Sequence, residues 1–336
     1  MTKRLHWGIL GTGNIARQFA DGVAGAQRSV LAAVGSRSAQ NAGDFAVQRN
    51  IPNAHASYDA LLTDPTVEAI YLALPNSMHH EWTLKALRAG KHVLCEKPLA
   101  CNAAQAQEMF DVARQTGRVL IEAFMYRSHP LTKAWVHAVR TGQIGRLQYI
   151  RANFAFYVNH PQNNIRFSAA LAGGALLDVG CYCVNLARFL AQAEPIAIHA
   201  TAVKHASGVD ESTCATLTFP DGLIASFYCG MQTHADNSAM ICGDQGFILV
   251  PVPWKPPVQK AEYTLAHSIP PRMENPQAKA PPPRQTFHID APLPLYALEA
   301  DDFAAAVFDG SPPVITPEDS LGNLRVLDEI RRLTGC

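Results

Sequence analysis

Short apolar runs alternate with segments of helical period through about residue 125 of this chain. Leu5–Leu10 (LHWGIL) reads as a buried strand and Asn14–Ala26 as the helix after it. Val30–Val34 and Ala39–Asn50 repeat the unit, followed by a short strand near Ala54–Ser57, a helical turn at Tyr58–Thr63 and a strand at Val67–Leu74 stopped by Pro75. His80–Ala89 is a predicted helix closed by Gly90, His92–Cys95 a strand, Ala103–Thr116 a helix closed by Gly117 and Val119–Phe124 a strand. Six strands joined by helices through short connections predict a doubly wound parallel sheet.

After Tyr126 the pattern changes. A helix is predicted at Pro130–Arg140, an alternating strand at Leu147–Tyr157 and an apolar helix at Gly174–Ala191. Strand-like runs then follow without intervening helices: Ile196–Val203, Thr213–Phe219, Leu223–Tyr228, Ser238–Cys242 and Phe247–Val250. That order predicts an antiparallel or mixed sheet. Pro251–Pro294 is Pro-rich and reads as an irregular surface excursion, and two helices, Leu295–Phe308 and Pro317–Thr334, end the chain. The expectation is an α/β protein with a doubly wound domain over residues 1–125 and a second α/β domain over 126–336, whose last helices are expected to pack back on the first.

Composition narrows the class. The chain has 336 residues, 48% hydrophobic and 17% charged, which is too apolar for a disordered polymer and long enough for two cores. Its 28 Lys+Arg balance 28 Asp+Glu, which argues against a nucleic-acid or anionic-membrane footprint. No uninterrupted apolar run approaches the ~18 residues of a membrane span, and Met1–Leu10 reads as mature structure because its apolar stretch carries His6 and runs into a glycine motif. Eight cysteines without paired CxxC spacing predict neither a zinc site nor a disulfide framework, so a cytoplasmic location is expected.

Gly11-Thr12-Gly13-Asn14-Ile15-Ala16 follows the first predicted strand and opens the first predicted helix. This is a dinucleotide fingerprint: the first glycine makes the tight turn and the second lets backbone approach a pyrophosphate. The third position needs only a small residue, and the helix N-terminus supplies free N–H groups and a favourable dipole. The second strand ends in Gly35-Ser36-Arg37-Ser38 rather than in Asp or Glu. A hydroxyl and a guanidinium suit a ribose 2′-phosphate, so NADP is expected over NAD; an ordinary polar loop is the plainer alternative.

Glu96-Lys97-Pro98 ends the fifth predicted strand, on the carboxyl edge of the sheet where such folds bind ligands. A cis Lys97–Pro98 bond would suit a tight cleft turn. Asp178 and Tyr182, four residues apart, share one face of an apolar predicted helix, with Cys181 and Asn185 near the same stripe. Buried, they need polar partners. Spacing alone accounts equally well for a helix cap plus a core tyrosine.

Four segments carry a resemblance: the fingerprint Gly11–Ala16, Leu74-Pro75-Asn76-Ser77-Met78-His79, Ala89-Gly90-Lys91-His92-Val93-Leu94-Cys95-Glu96-Lys97-Pro98, and Gly173-Gly174-Ala175-Leu176-Leu177-Asp178-Val179-Gly180. In order and spacing they resemble the glucose–fructose oxidoreductase/inositol dehydrogenase/MocA (Gfo/Idh/MocA) family over essentially the whole chain. The resemblance implies an N-terminal Rossmann domain and a C-terminal domain with an open, mostly antiparallel sheet that often makes the contact in a dimer or tetramer. Tyr182 stands where most members carry His and Asn185 where many carry Asp. With Glu122–Arg127 and Asn164–Phe167, that places the chain nearest the dihydrodiol dehydrogenase/NADP-dependent D-xylose 1-dehydrogenase branch. Ala172 replaces the first glycine of the usual GGG.

The resemblance implies the roles. Tyr182 exchanges a proton with the reacting oxygen, Lys97 places a positive charge near the phenol and binds the substrate hydroxyl, and Asp178 orients the substrate or Lys97. Gly11, Thr12, Gly13, Asn14, Ile15, Ser36, Arg37, Leu74, Glu96 and Lys97 would line the cofactor, with Asn76 and His79 beside the nicotinamide or its ribose. Arg127 and Arg166 either hold substrate hydroxyls or bridge the two domains. No metal is expected. The expected activity is NADP-dependent hydride transfer with a sugar hemiacetal, secondary alcohol or vicinal diol. The alternatives are a self-recycling oxidoreductase or cofactor-dependent glycosidase of the same fold, and a non-enzymatic NADP/sugar sensor.

Overall fold

A computed structural model describes residues 3–267 and 283–336. The first sheet holds β1 (Leu5–Leu10), β2 (Ser29–Gly35), β3 (Asn53–His55), β4 (Ala69–Leu72), β5 (His92–Glu96) and β6 (Leu120–Ala123). All pairings are parallel and the order is β3-β2-β1-β4-β5-β6, the doubly wound arrangement with a switch point between β1 and β4. Its helices are α1 (Asn14–Val23), α2 (Ala39–Arg49), α3 (Tyr58–Leu62), α4 (Asn76–Arg88) and α5 (Ala103–Thr116). Ser38, Ser57 and Asn102 cap α2, α3 and α5 by accepting from backbone N–H groups, and Gly117 closes α5 in the left-handed conformation. α4 starts four residues before the expected His80, because Pro75 opens the helix as well as ending the strand.

Helices α6 (Pro130–Arg140) and α7 (Cys181–Ala191) pack on a second sheet. It comprises β7 (Leu147–Ala155), β8 (Ala197–Lys204), β9 (Asp210–Thr218), β10 (Ile224–Gly230), β11 (Ala239–Gly243), β12 (Gly246–Val250), β13 (Ala261–His267) and β14 (Arg284–Ile289). The order is β14-β13-β12-β11-β7-β10-β9-β8, antiparallel except for the β7–β10 pair. β13 and β14 lie in the Pro-rich stretch expected to be irregular: Ala261, Tyr263 and Leu265 alternate inward and qualify β13 as a half-buried strand. Part of the Pro281–Pro283 run falls outside the described residues.

The C-terminal helices α8 (Leu295–Asp309) and α9 (Pro317–Thr334) return to the first sheet. Phe303 of α8 lies 4.9 Å from Trp7 of β1, and Phe19 of α1 stacks on Tyr71 of β4 at 3.6 Å, all fully buried. Asp328 of α9 accepts from Ala103 N–H at the start of α5, and Arg331 donates to Cys101 O. One stretch among the described residues, Ala169–Ala191, is long and apolar enough by length and composition to cross a membrane, but it is interrupted by Asp178, Asn185 and Arg188 and two-thirds of its apolar window is buried in the fold (67%).

Candidate active site

The carboxyl edge of the first sheet forms the floor of the site. After β1 the chain turns at Gly11, whose φ of +102° lies in the region that favours glycine; a Cβ there would stand 2.8 Å from Ala73 O. Gly13 starts α1, and a Cβ on it would meet nothing within 4 Å, so the space above it is open. No side chain caps α1, and its first turn carries no acid. Its N–H groups remain available to an anion, with Ala16 buried beneath. These residues fit a dinucleotide pyrophosphate. At the end of β2, Ser36 is buried and accepts from Ser38 N–H, whereas Arg37 is exposed and makes no ion pair among the described residues. Leu74 is buried, Thr12 and Ile15 are half-buried and Asn14 is exposed, all on the same edge.

The loop that carries Lys97 follows β5. Glu96 is buried, accepts a short hydrogen bond from Tyr71 OH and has its carboxyl pKa raised by burial. The Lys97–Pro98 bond is cis. Lys97 Nζ donates to Asp178 O at 2.6 Å and Asp178 Oδ1 at 3.2 Å. The other carboxylate oxygen, Oδ2, accepts from Arg166 Nε at 2.5 Å. Burial opposes both charges of the Lys97–Asp178 pair, but each partner outweighs it: the lysine pKa is held above its ordinary value, and Asp178, which Arg166 also supports, below. Glu122, at the end of β6, accepts from Leu99 N–H and so fixes the loop from behind.

Asp178 lies in a single π-helical turn, Leu176–Gly180, rather than in the uninterrupted α-helix expected from Gly174 to Ala191. The irregularity begins where Gly174, at φ +114°, brings its backbone against Asp210 and donates to Arg166 O. A π-turn widens the helix and re-aims its side chains. Here it lets Asp178 and Tyr182 meet the same lysine, with Lys97 Nζ 5.3 Å from the Tyr182 ring centroid.

Tyr182 is 3% exposed, boxed by Phe124, Tyr126, Phe154 and Trp254 with centroids 5.1–6.0 Å away. Its hydroxyl donates to Met125 Sδ at 3.3 Å and accepts no hydrogen bond from Lys97 among the described residues. Burial, together with Glu96, drives the phenol pKa well above 10, so the proton stays on oxygen.

The remaining predicted residues divide. Asn76 opens α4 and donates to Ala172 O at 2.8 Å, tying the edge of the first sheet to the turn before Asp178. His79 is fully buried, with its ring nitrogens 2.8 and 2.9 Å from Pro98 O and Leu74 O; burial lowers its pKa, and the neutral ring donates to one of these two carbonyls behind the loop. Arg127 does not open on the cleft: it pairs with Asp319 at 3.1 Å, donates to Asn185 and lies over Phe189. Arg166 does, with 42% of its side chain exposed. The sequence reading missed Trp254 and Lys255, which the Pro-rich stretch delivers to the site. Trp254 Nε1 donates to Asn153 O and its ring stacks on Phe154, while Lys255 Nζ donates to Gln18 Oε1 on α1. The available signal was a tryptophan, a residue seldom left in solvent, amid the prolines. Among the described residues no group of three His, Cys, Asp or Glu is arranged to hold a metal.

The model of an oxidoreductase family with an NAD-binding Rossmann fold matches residues 5–124, and that of the GFO/IDH/MocA C-terminal domain matches residues 133–249. The chain is 32% identical over 325 residues to D-xylose 1-dehydrogenase (NADP(+)) 2 of Haloferax volcanii, covering 96% of this chain and 95% of that one. It is 36% identical over 255 residues to trans-1,2-dihydrobenzene-1,2-diol dehydrogenase of Mus musculus, covering 75% and 76% of the two chains. A 3-ketoreductase from Actinomadura kijaniata, solved with NADP and TDP-benzene, superposes with a TM-score of 0.87 at 29% identity over 99% of this chain and 98% of that one. An aldose–aldose oxidoreductase from Caulobacter crescentus, solved with glycerol, gives 0.87 at 26% identity with the same coverage. Matched by both domain models and by relatives above 30% identity over three-quarters or more of its length, the chain is a member of the Gfo/Idh/MocA oxidoreductase family.

Proposed function

We propose that the protein is an NADP-dependent dehydrogenase/reductase that interconverts a sugar hemiacetal, or a secondary alcohol of a vicinal diol, with its carbonyl product. One observation carries the reading: an open, uncapped glycine turn for a dinucleotide lies on the same sheet edge as the Lys97–Asp178–Tyr182 cluster. Ser36 and Arg37 at the end of β2, where an acid would select NAD, support NADP. The names of the xylose and dihydrodiol relatives support the substrate class.

When bound, the nicotinamide supplies or accepts the hydride. The chain positions the substrate and manages the proton. Tyr182, protonated through burial, donates to the carbonyl oxygen in the reductive direction. Lys97, held charged by Asp178, stabilises negative charge growing on that oxygen. Arg166, fixed through Nε on Asp178, leaves its two terminal nitrogens for substrate hydroxyls. The phenyl-lined box excludes water from the reacting atoms. A homo-oligomer formed through the outer face of the second sheet belongs to the same reading. Tyr149, Arg151, Ser226, Tyr228 and Met240 leave that face partly exposed, with no helix among the described residues packed over it.

The test is a screen for NADP and NAD reduction over aldoses, inositols and cyclic vicinal diols, read at 340 nm. NADP-linked turnover with an aldose or diol is expected, and its absence across all three classes overturns the substrate assignment. A second reading, an enzyme that retains its NADP and recycles it between two sugars, is favoured by the likeness to the aldose–aldose oxidoreductase. Stoichiometric nucleotide released on denaturing the purified protein supports that reading.

A further inference from the structure

Lys255 belongs to the second half of the chain, on the stretch between β12 and β13, yet its ammonium is tethered to the dinucleotide helix: Nζ lies 2.9 Å from Gln18 Oε1. Tyr296 OH converges on the same oxygen at 3.3 Å. Next door, Trp254 is buried in the aromatic box around Tyr182, so the segment is anchored at the site on one side and at α1 on the other. Gln18 stands four residues beyond Asn14, about 6 Å along the helix axis at ~1.5 Å per residue. Lys255 Nζ is therefore held about one helical turn from the free N–H groups that open α1, within the swing of a flexible four-carbon stem.

The charge inventory of the cleft supplies the reason. Lys97, Arg166 and Lys255 are cations. The carboxylates acting on them are Asp178 and Glu96, the second with its pKa raised by burial, so the three cations stay in excess among the described residues. Lys255 is exposed to solvent, yet partial desolvation by its neighbours lowers its pKa, with Lys97 and Arg166 adding to the fall and Glu96 and Asp178 opposing it. A neutral sugar and a neutral amide acceptor leave this excess uncompensated. A pyrophosphate, with two negative charges, compensates it.

We propose that Lys255 is a cofactor-binding residue: its ammonium leaves Gln18 and pairs with the dinucleotide pyrophosphate, so that the second domain clamps the cofactor on the first. This rests on the NADP reading above. Because Trp254 precedes it, the same movement couples cofactor binding to the wall of the Tyr182 box.

The test uses the intact enzyme and measures dissociation constants by fluorescence for NADPH, for ADP-ribose, which keeps the pyrophosphate, and for adenosine 2′-phosphate, which lacks it. Lys255→Gln should weaken NADPH and ADP-ribose roughly five- to tenfold, as expected for one charged contact to a phosphate, and leave adenosine 2′-phosphate unchanged. Lys255→Arg should restore most of the loss, and the gap between wild type and Lys255→Gln should narrow in high salt. Unchanged NADPH affinity in Lys255→Gln overturns the proposal, as does an equal loss on adenosine 2′-phosphate, which signals general damage. A change confined to substrate KM assigns Lys255 to the substrate instead. A wild-type protein that binds neither NADPH nor ADP-ribose overturns the cofactor reading itself, a result distinct from wild-type binding with an unaffected variant.

Discussion

Replacing Glu122 by Gln should stabilise the protein at pH 8 and do little at pH 5. Glu122 is 1% exposed; Oε1 accepts from Leu99 N–H at 2.9 Å. Among the described residues Oε2 has no hydrogen-bond partner, although the Ser320 hydroxyl, equally without one there, lies close enough to temper the effect of burial. Burial raises the carboxyl pKa from 4.5 to about 7. An acid whose folded pKa is raised contributes stability that is fully present below pH 4.5 and lost as pH rises through 7, because the unfolded chain ionises first. The rise of about 2.5 units, at 1.36 kcal/mol each, makes that loss about 3 kcal/mol. Gln keeps the acceptor for Leu99, offers Ser320 a donor and carries no charge to desolvate. Urea denaturation of both proteins at both pH values isolates this residue, since other buried acids such as Glu299 and Asp210 cancel in the comparison. The variant should gain roughly 2–3 kcal/mol relative to wild type between pH 5 and pH 8. An equal difference at the two pH values refutes the assignment of a proton to Glu122.

Tyr182→Phe should cut turnover by ~10²–10⁴ while NADPH affinity stays within about threefold, because the ring packing survives and only the proton donor is lost. In the wild type, a phenol pKa driven up by burial makes the oxidative rate climb with pH into the alkaline range while the reductive rate stays level below it. An oxidative optimum near neutrality contradicts that. Arg37→Ala should raise the NADP KM by ~10-fold or more and leave that for NAD nearly unchanged, from loss of a charge-assisted pair; parallel changes remove the 2′-phosphate role. Ala172 adopts φ +54° and ψ +48° at the turn before Asp178, so Ala172→Gly should stabilise the fold by roughly 0.5–1 kcal/mol in thermal melts.

The first half of the fold was legible because its signals are local. The bounds of β1, α5 and α6 coincide with the apolar periodicity and its glycine and proline punctuation. The failures arose where one residue carried two messages. Pro75 ends the run of β4, but as an N-cap it also opens α4, which is why Asn76 sits on a helix rather than in a loop. The prolines around 251–294 outweighed the inward alternation of Ala261, Tyr263 and Leu265. β14 offers only polar and half-exposed positions, the pattern of an edge strand, and is recognisable only beside its partner.

The site shows a sharper limit. Arg127 and Arg166 looked alike in sequence, each able to serve the cleft or a bridge. The deciding carboxylate for Arg127 is Asp319, 192 residues downstream, whereas that for Arg166 is Asp178, 12 residues away on the catalytic face. Pairwise spacing holds no trace of the first contact, which exists only because α9 folds back across the chain. The same return brings Ser320 up to Glu122 behind the Lys97 loop and Tyr296 to Gln18 beside Lys255. The motifs in the sequence marked Lys97, Asp178 and Tyr182, which the fold brings together in one cluster. Part of what surrounds that cluster, Asp319, Ser320 and Tyr296, comes from the far end of the chain, and the Glu122 and Lys255 variants probe residues that those far-end side chains approach.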